Sequence, residues 1–366
     1  MKAETKRIAI IILSLLVLGT VVYYLSDIVA YIIIAWVISM VGQPIMNFLM
    51  KFKIGKRLRM GRVPAALITL ITFILAIGLL VMIFVPLIVE QASNLRNVQY
   101  NEIYNTLSVP INSLNERLIE LGIVTQEQLS SDKFVSMLSD WFRPNYISTF
   151  IGNVFGIAGN LLIGIFSVLF IAFFFLRDDQ LFINFVKAMV PDQYEEDTEE
   201  VIHDISLMLR KYFGGIILQI LIITALVSTL LWIFGIQNAL LIAFFAAIVN
   251  VIPYVGPFIG ALFGIFITIS SNLNVEFYNF LAPMLIKVVI VFVIMQMIDN
   301  FILQPFIYSS SVKAHPLEIF IIILVAAKLG GIMGMILAIP AYTVIRVIAK
   351  EFLNQFKIVQ KITGSM

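Results

Sequence analysis

From about Val63 to Ile88 the chain carries no charged side chain, and similar apolar runs recur at about 8–25, 28–50, 154–176, 216–234, 240–269, 281–304 and 317–345. About 20 consecutive apolar residues make a helix long enough to span the hydrocarbon core of a bilayer. Inside that core backbone amides cannot bond to water, so a run of this length is read as a helix, which satisfies them internally. Hydrophobic residues make up 61% of the 366 and charged residues 13%, too few charges to cover a water-soluble domain of this size. The expected fold is an all-α polytopic membrane protein with about eight membrane segments.

The charged residues orient these segments. Lys2, Lys6 and Arg7 precede the first run, and no small-residue cleavage site follows it, so a retained helix is expected there. The second run leads into "KFKIGKRLRMGR", where Lys51, Lys53, Lys56, Arg57, Arg59 and Arg62 stand without a single acid. Short loops with such an excess of Lys and Arg stay in the cytoplasm. Residues 1–89 then read as a scaffold of three helices, and the polar segment 90–150 as a helical extracytoplasmic lid or oligomer contact. Residues 151–213 hold a fourth span and a cytoplasmic amphipathic helix, with Val201, Ile205, Met208, Leu209 and Tyr212 on one face. The acids Glu195, Glu196, Asp197, Glu199 and Glu200 open that helix, where they suit its dipole. A transport region is expected over 214–350 and a cytoplasmic tail over 351–366, with Arg346 and Lys350 placing the C-terminus inside.

Two apolar runs in the transport region contain their own breaks. Residues 240–269 include Asn250, Pro253, Tyr254, Gly256 and Pro257, and residues 317–345 include Lys328, Gly330, Gly331, Gly334 and Pro340. Two threadings keep the termini inside. In one, both runs cross once as kinked spans, since Gly and Pro are tolerated in membrane helices. In the other, both are re-entrant helical hairpins inserted from opposite faces, an arrangement found in transporters with inverted repeats. The hairpin threading puts Ser271–Asn279 outside and Ser309–Ser311 inside; the kinked threading reverses both. Pro253 and Pro257 lack amide donors and Gly256 permits left-handed φ, so carbonyls are freed to face a solute or ion.

Between the broken runs, Gln296, Asp299, Asn300 and Gln304 recur at helical spacing on one face. A carboxylate and three amides on one stripe are costly against lipid. They read either as a helix end already in the wet interface or as the lining of a path with Asp299 as carrier. Lys328 is a second ionisable residue at depth, with Asp299 as its expected partner and Lys287 as a rival. His315 reads as a proton shuttle or as a helix start before Pro316. With no Cys, thiolate chemistry is excluded; with His203 and His315 as its two His, neither a multi-histidine zinc site of the usual kind nor a cofactor is expected. No phosphate-binding loop of the G-x-x-x-x-G-K-[ST] type occurs, and no paired nucleophile and base stands out. The chain is not expected to be an enzyme or to bind nucleic acid. Its expected partners are membrane lipid and a small-molecule or cation substrate.

The segments "NVIPYVGPFIG" (250–260), "DNFILQPFIYSSSVKAHPLEIF" (299–320) and "GGIMGMILAIPAYTVIRVI" (330–348), with "FFFLRDD" and "RKYFGG", resemble the AI-2E (autoinducer-2 exporter, PerM-like) transporter family. The matching positions are Pro253, Tyr254, Gly256, Pro257, Asp299, Gln304, Pro305, His315, Pro316, Gly330, Gly331, Gly334 and Pro340. "GQP" at 42–44 and Lys328 depart from the family pattern. The resemblance implies a bacterial cytoplasmic-membrane transporter, homo-oligomeric and pentameric by family habit. Its cargo would be an autoinducer-2-type signal or, as in other members, sodium or lithium exchanged for protons.

Overall fold

A computed structural model of the chain describes residues 24–51, 53–54, 58–97, 163–272, 275–311 and 315–352, with isolated positions 20, 116, 119, 120, 359 and 360. The expected first span (8–25), the lid (90–150) and the start of the fourth span therefore fall largely outside the described residues. Five described helices are long and apolar enough to cross a membrane: Ser26–Lys51, Arg62–Gln91, Asp192–Ile233, Phe277–Ile307 and Leu317–Phe352. Shorter apolar helices cover Ile163–Arg177, Ala239–Val249 and Gly256–Ser270. Apart from one pair of two-residue strands, the described secondary structure is helical.

The chain forms two compact units, residues 1–75 with 157–206, and residues 76–156 with 207–366. The first contains α1 (Ser26–Lys51), the strands β1 (Lys53–Ile54) and β2 (Leu58–Arg59), and the start of α2 (Arg62–Asn97). It also contains α3 (Ile163–Arg177), α4 (Leu181–Lys187) and the start of α5 (Glu195–Ile233). The basic segment expected as a plain loop closes as an antiparallel ladder, Lys53 opposite Arg59 and Ile54 opposite Leu58. Ala35, Met46, Ala65, Ala66, Ala172 and Leu176 form the core. Small residues let the helices approach closely: a Cβ on Gly42 would lie 3.0 Å from Thr69 Cγ2 and 3.1 Å from Leu176 Cδ2. Close backbone approach is how helices pack where lipid removes most of the hydrophobic drive. Arg62 bridges Asp179 at 3.2 Å, and Lys187 bridges Glu199 at 2.8 Å and Glu195 at 3.6 Å.

The expected amphipathic helix and fifth span prove to be one helix, α5. Nothing between Tyr212 and Ile216 stops it, because the Gly214–Gly215 pair stays helical and Gly215 admits the Ile307 side chain. Its first turn holds Glu195, Glu196 and Asp197, as the dipole favours. It ends where Gly235 adopts φ 73°, with Ile236 N–H donating to the Leu231 carbonyl and Gly235 N–H to the Trp232 carbonyl. That pair of bonds is the glycine-dependent Schellman ending.

In the second unit, α6 (Ala239–Val249) and α7 (Gly256–Ser270) are separated by the Asn250–Val255 break. They lie antiparallel: a Cβ on Gly260 would sit 3.0 Å from Ala246 Cβ, one on Gly264 3.0 Å from Ile242 Cγ2, and Phe245 stacks on Phe263. At about 1.5 Å per residue the arms measure about 16 and 22 Å, each short of the roughly 30 Å hydrocarbon core. A side chain on Gly256 would run into the Val249 carbonyl, so only glycine allows this turn. Tyr254, at φ 67°, takes the other strained position.

A longer helical stretch follows, comprising a π-turn Phe277–Leu281, α8 (Ala282–Ile298), a second π-turn Asp299–Leu303 and α9 (Gln304–Ser311). The final helix, α10 (Pro316–Phe352), is also folded back on itself. Gly331 has φ 58° and ψ −140°, a conformation open essentially to glycine. A Cβ on Gly334 would meet the Ala326 carbonyl, and the Tyr342 hydroxyl donates to Glu318 at 3.0 Å. In a straight helix Glu318 and Tyr342 would be about 36 Å apart. Its arms are residues 316–330 and 332–352.

The two hairpins share separate cores with α5. The first shares its core with Ile223, Val227 and Leu231 of α5 and with Ile236 just beyond it. The second packs with Tyr212 and Ile307 through Ile319, Ile323, Ala338 and Ile339. Twenty-one residues of helix separate positions 212 and 233, about 30 Å. Tyr254, in the break of the first hairpin, lies edge-on to Phe320, near the start of the second, at 5.6 Å.

Candidate functional site

Asp299 opens the π-turn between α8 and α9. A π-turn adds one residue to the helical spacing, and such turns are frequent at functional sites. The carboxyl is completely buried. Gln219 Nε2, from the middle of α5, donates to its Oδ1 at 2.6 Å, and Gln304 Nε2 donates to its Oδ2 at 2.7 Å. Asn300 Oδ1 accepts from Gln296 at 2.9 Å and from Gln304 at 3.2 Å. The four stripe residues therefore form one chain of hydrogen bonds, with Gln219 as a fifth member from a different helix. Asp299 itself is enclosed between helices.

The expected Asp299–Lys328 pair is not formed. Asp299 is satisfied by two amides, while Lys328 is exposed on the first arm of the second hairpin. Lys287 is not its partner either. His315 takes the helix-start role: its Nδ1 accepts from Leu317 N–H at 3.2 Å and its carbonyl from Glu318 N–H at 2.9 Å.

The first hairpin packs against α8, the helix that ends at Asp299. The Phe292 ring meets α7 at Gly260 and Gly264, where Cβ atoms would lie 3.5 and 2.8 Å from it. A short link joins α7 to the stretch leading into α8, so the two run antiparallel. Counting along both helices sets Gly256 within about one turn of Asp299. At this tip Asn250 and Pro253 are buried, Pro257 is half-buried and Tyr254 is exposed. The Asn250 side chain is 3% exposed, and neither its Oδ1 nor its Nδ2 has a hydrogen-bond partner. Gln296 Oε1, on the stripe, is buried and unpartnered as well. Buried polar atoms are paired in the great majority of cases, and each exception costs about 1–3 kcal/mol. These atoms keep unfilled hydrogen-bonding capacity. Pro305 is exposed beyond the stripe, Gly330 and Gly331 are exposed at the second turn, and Gly334 is half-buried below it.

A second polar cluster holds the other end of the first hairpin. Asn238, at φ 55°, donates to Gln91 Oε1 at 3.0 Å and to Ser271 Oγ at 3.1 Å, and Gln91 Nε2 donates to Ser270 Oγ at 3.0 Å. Sequence reasoning missed this cluster because its members lie far apart in the chain. Gln219 was more accessible to it, as a lone amide in the apolar run "IILQILIITALV". Among the described residues no group of three or more His, Cys, Asp or Glu is placed to hold a metal ion.

The family model described as "AI-2E family transporter" matches residues 10–354. The chain is 27% identical over 345 residues to the Bacillus subtilis (strain 168) protein named "Putative transport protein YueF", covering 93% of this chain and 88% of that one. It is 32% identical over 188 residues to YrrI of the same organism, about half of each chain (51%). To MJ1177 of Methanocaldococcus jannaschii it is 24% identical over 332 residues, 90% of each. Both carry the same transport designation. The chain therefore belongs to the AI-2E transporter family and is a multi-pass membrane transporter.

Proposed function

We propose that this transporter exports a small polar solute of the autoinducer-2 type through the site formed by the first hairpin tip and the Asp299 stripe. The observation that carries the reading is the buried carboxylate at a π-turn, held by amides alone, with the Asn250 amide and Gln296 Oε1 at similar depth and unsatisfied. Amides offer paired donors and acceptors, which suit a neutral polyhydroxylated solute better than a bare ion. The two hairpins are re-entrant and inserted from opposite faces. The Tyr254–Phe320 contact supports this, because it sets the first break beside the start of the second hairpin and away from the Gly331 turn. Asn250, Pro253, Tyr254, Gly256 and Pro257 line the path from one side. Gln296, Asp299, Asn300, Gln304 and Pro305 line it from the other, with Lys328, Gly330, Gly331 and Gly334 at the second hairpin. The termini are cytoplasmic, and the chain assembles as a homo-oligomer, a pentamer by family resemblance.

A second reading, sodium or lithium exchange for protons, is favoured by the single titratable group in the stripe. The same preparation separates the two. In everted vesicles that contain the transporter, autoinducer-2 is taken up by the wild type, Asp299→Asn abolishes this uptake, and sodium leaves an imposed pH gradient intact. Sodium-induced collapse of the gradient that is lost in Asp299→Asn, without autoinducer-2 uptake, establishes the antiport reading instead.

A further inference from the structure

The two ends of the helical hairpin α6–α7 are held differently. At its base, Asn238 before α6 and Ser270 and Ser271 at the end of α7 gather around Gln91 of α2. Gln91 is 4% exposed and uses both ends of its amide: Oε1 accepts from Asn238 Nδ2 at 3.0 Å, and Nε2 donates to Ser270 Oγ at 3.0 Å. Asn238 is the N-cap of α6 but does not cap it with its side chain; its amide goes to Gln91 and to Ser271 Oγ. Ser270 donates onward to the Ile267 carbonyl at 3.0 Å. Two turns back along α2, Phe84 stacks on Phe244 of α6 with ring centroids 3.5 Å apart. Residues 84 and 91 of α2 thus meet 244 and 238 of the hairpin, an antiparallel contact about 10 Å long. Beyond Phe84 this support stops: α2 residues 76–83 are all exposed, and a Cβ on Gly78 would stand in open space. At the tip, the Asn250 amide has neither atom paired. A satisfied buried network rigidifies what it joins, and leaving its bonds unmade is costly. A shift of Asn250 breaks no side-chain hydrogen bond, and apolar contacts are non-directional.

We propose that Gln91 is a positioning residue for transport: it pins the base of the first hairpin as a fixed pivot, about which the tip moves. That the tip belongs to the path rests on the function proposed above; the pivot does not depend on what is carried. The side-chain hydrogen bonds of Gln91 go to none of the path residues, so it acts through the hairpin it holds. Without the pin, a smaller fraction of molecules has the tip in place, and the apparent affinity for the solute falls by that fraction.

The test uses the full chain in bilayers, with spin labels on cysteines placed at exposed positions: E90C with Q237C reports the base, and L79C with F258C reports the tip. With Gln91 in place, pulsed dipolar spectroscopy gives one narrow distance at the base and a broad or split distribution at the tip. Q91M, which keeps the side-chain length and loses the amide, broadens the base distance. In everted vesicles it raises the KM of autoinducer-2 uptake by about fivefold or more and keeps the maximal rate. A loss of folded transporter alone would lower the maximal rate and leave KM unchanged. N238G, which keeps the left-handed backbone and removes the other amide, acts as Q91M does and serves if Q91M does not fold. A base distribution as broad as that of the tip with Gln91 in place overturns the proposal, as do a base distance and KM unchanged in these variants. A wild type that takes up no autoinducer-2 counts against the cargo instead, and the distance distributions still decide the pivot.

Discussion

At the scale of single residues, the site depends on which polar atoms have partners. Gln219 and Gln304 both point amide N–H groups at Asp299. Gln219→Leu leaves a buried carboxyl oxygen without a donor, and the expected loss is about 1–3 kcal/mol of stability, read as a lower unfolding midpoint in detergent. Because both residues belong to one network, Gln219→Leu and Asp299→Asn should combine non-additively in a double-mutant cycle; strict additivity would count against the network. The stripe itself was legible in the sequence, since four polar residues at helical spacing in an apolar run need no structure to be noticed. Gln219 was not assigned to it, because its role depends on α5 crossing beside the π-turn. Lys328 misled for the opposite reason. Its apolar neighbours suggested burial and a partner, yet it lies on an exposed face of a short arm.

Outside the membrane segments, Lys187 makes a pH-dependent contribution. The hydrogen bond to Glu199, with the charges of Glu199 and Glu195, raises its pKa above the ordinary 10.5. A group bound more tightly to its proton in the folded state stabilises fully below the unfolded pKa and loses that effect as pH rises through the folded value. The stability difference between wild type and Lys187→Gln should stay constant from about pH 7 to 9 and shrink only above about 10.5. A difference already declining at pH 8 would contradict the ion pairs.

At the scale of elements, the two hairpins turn by different means. The first uses a six-residue break with Pro253, Tyr254 at φ 67° and Gly256 pressed on the Val249 carbonyl. The second reverses at Gly331 alone, at φ 58° and ψ −140°. A Cβ has open space around Gly331, so Gly331→Ala tests backbone strain without a packing clash. It should cost about 1–3 kcal/mol and reduce transport, seen as lowered thermal stability together with lowered uptake. An unchanged midpoint would mean that the reversal does not depend on left-handed backbone. Both breaks were visible in the sequence as glycine and proline inside apolar runs. Sequence alone left hairpin and kinked span open, because Gly and Pro serve both. Contacts between the two arms, such as Glu318 with Tyr342 and Ala246 with Gly260, support the hairpin reading. The continuity of α5 was hidden for a related reason: a Gly-Gly pair reads as a break, but here it makes room for Ile307.

At the scale of the whole molecule, the composition fixed a polytopic helical membrane protein, and the family match over residues 10–354 makes it a transporter. The central proposal is that two hairpins insert from opposite faces and bring the Asn250 tip level with Asp299. The chain has no Cys, so single cysteines can be introduced without background. The most direct measurement is labelling of Asn279→Cys and Ser310→Cys in intact cells and everted vesicles with a membrane-impermeant maleimide. Opposed hairpins predict that the Asn279→Cys variant labels in intact cells and the Ser310→Cys variant only in everted vesicles. The reverse pattern would mean that both broken runs cross the membrane as kinked spans, and it would contradict the proposed path.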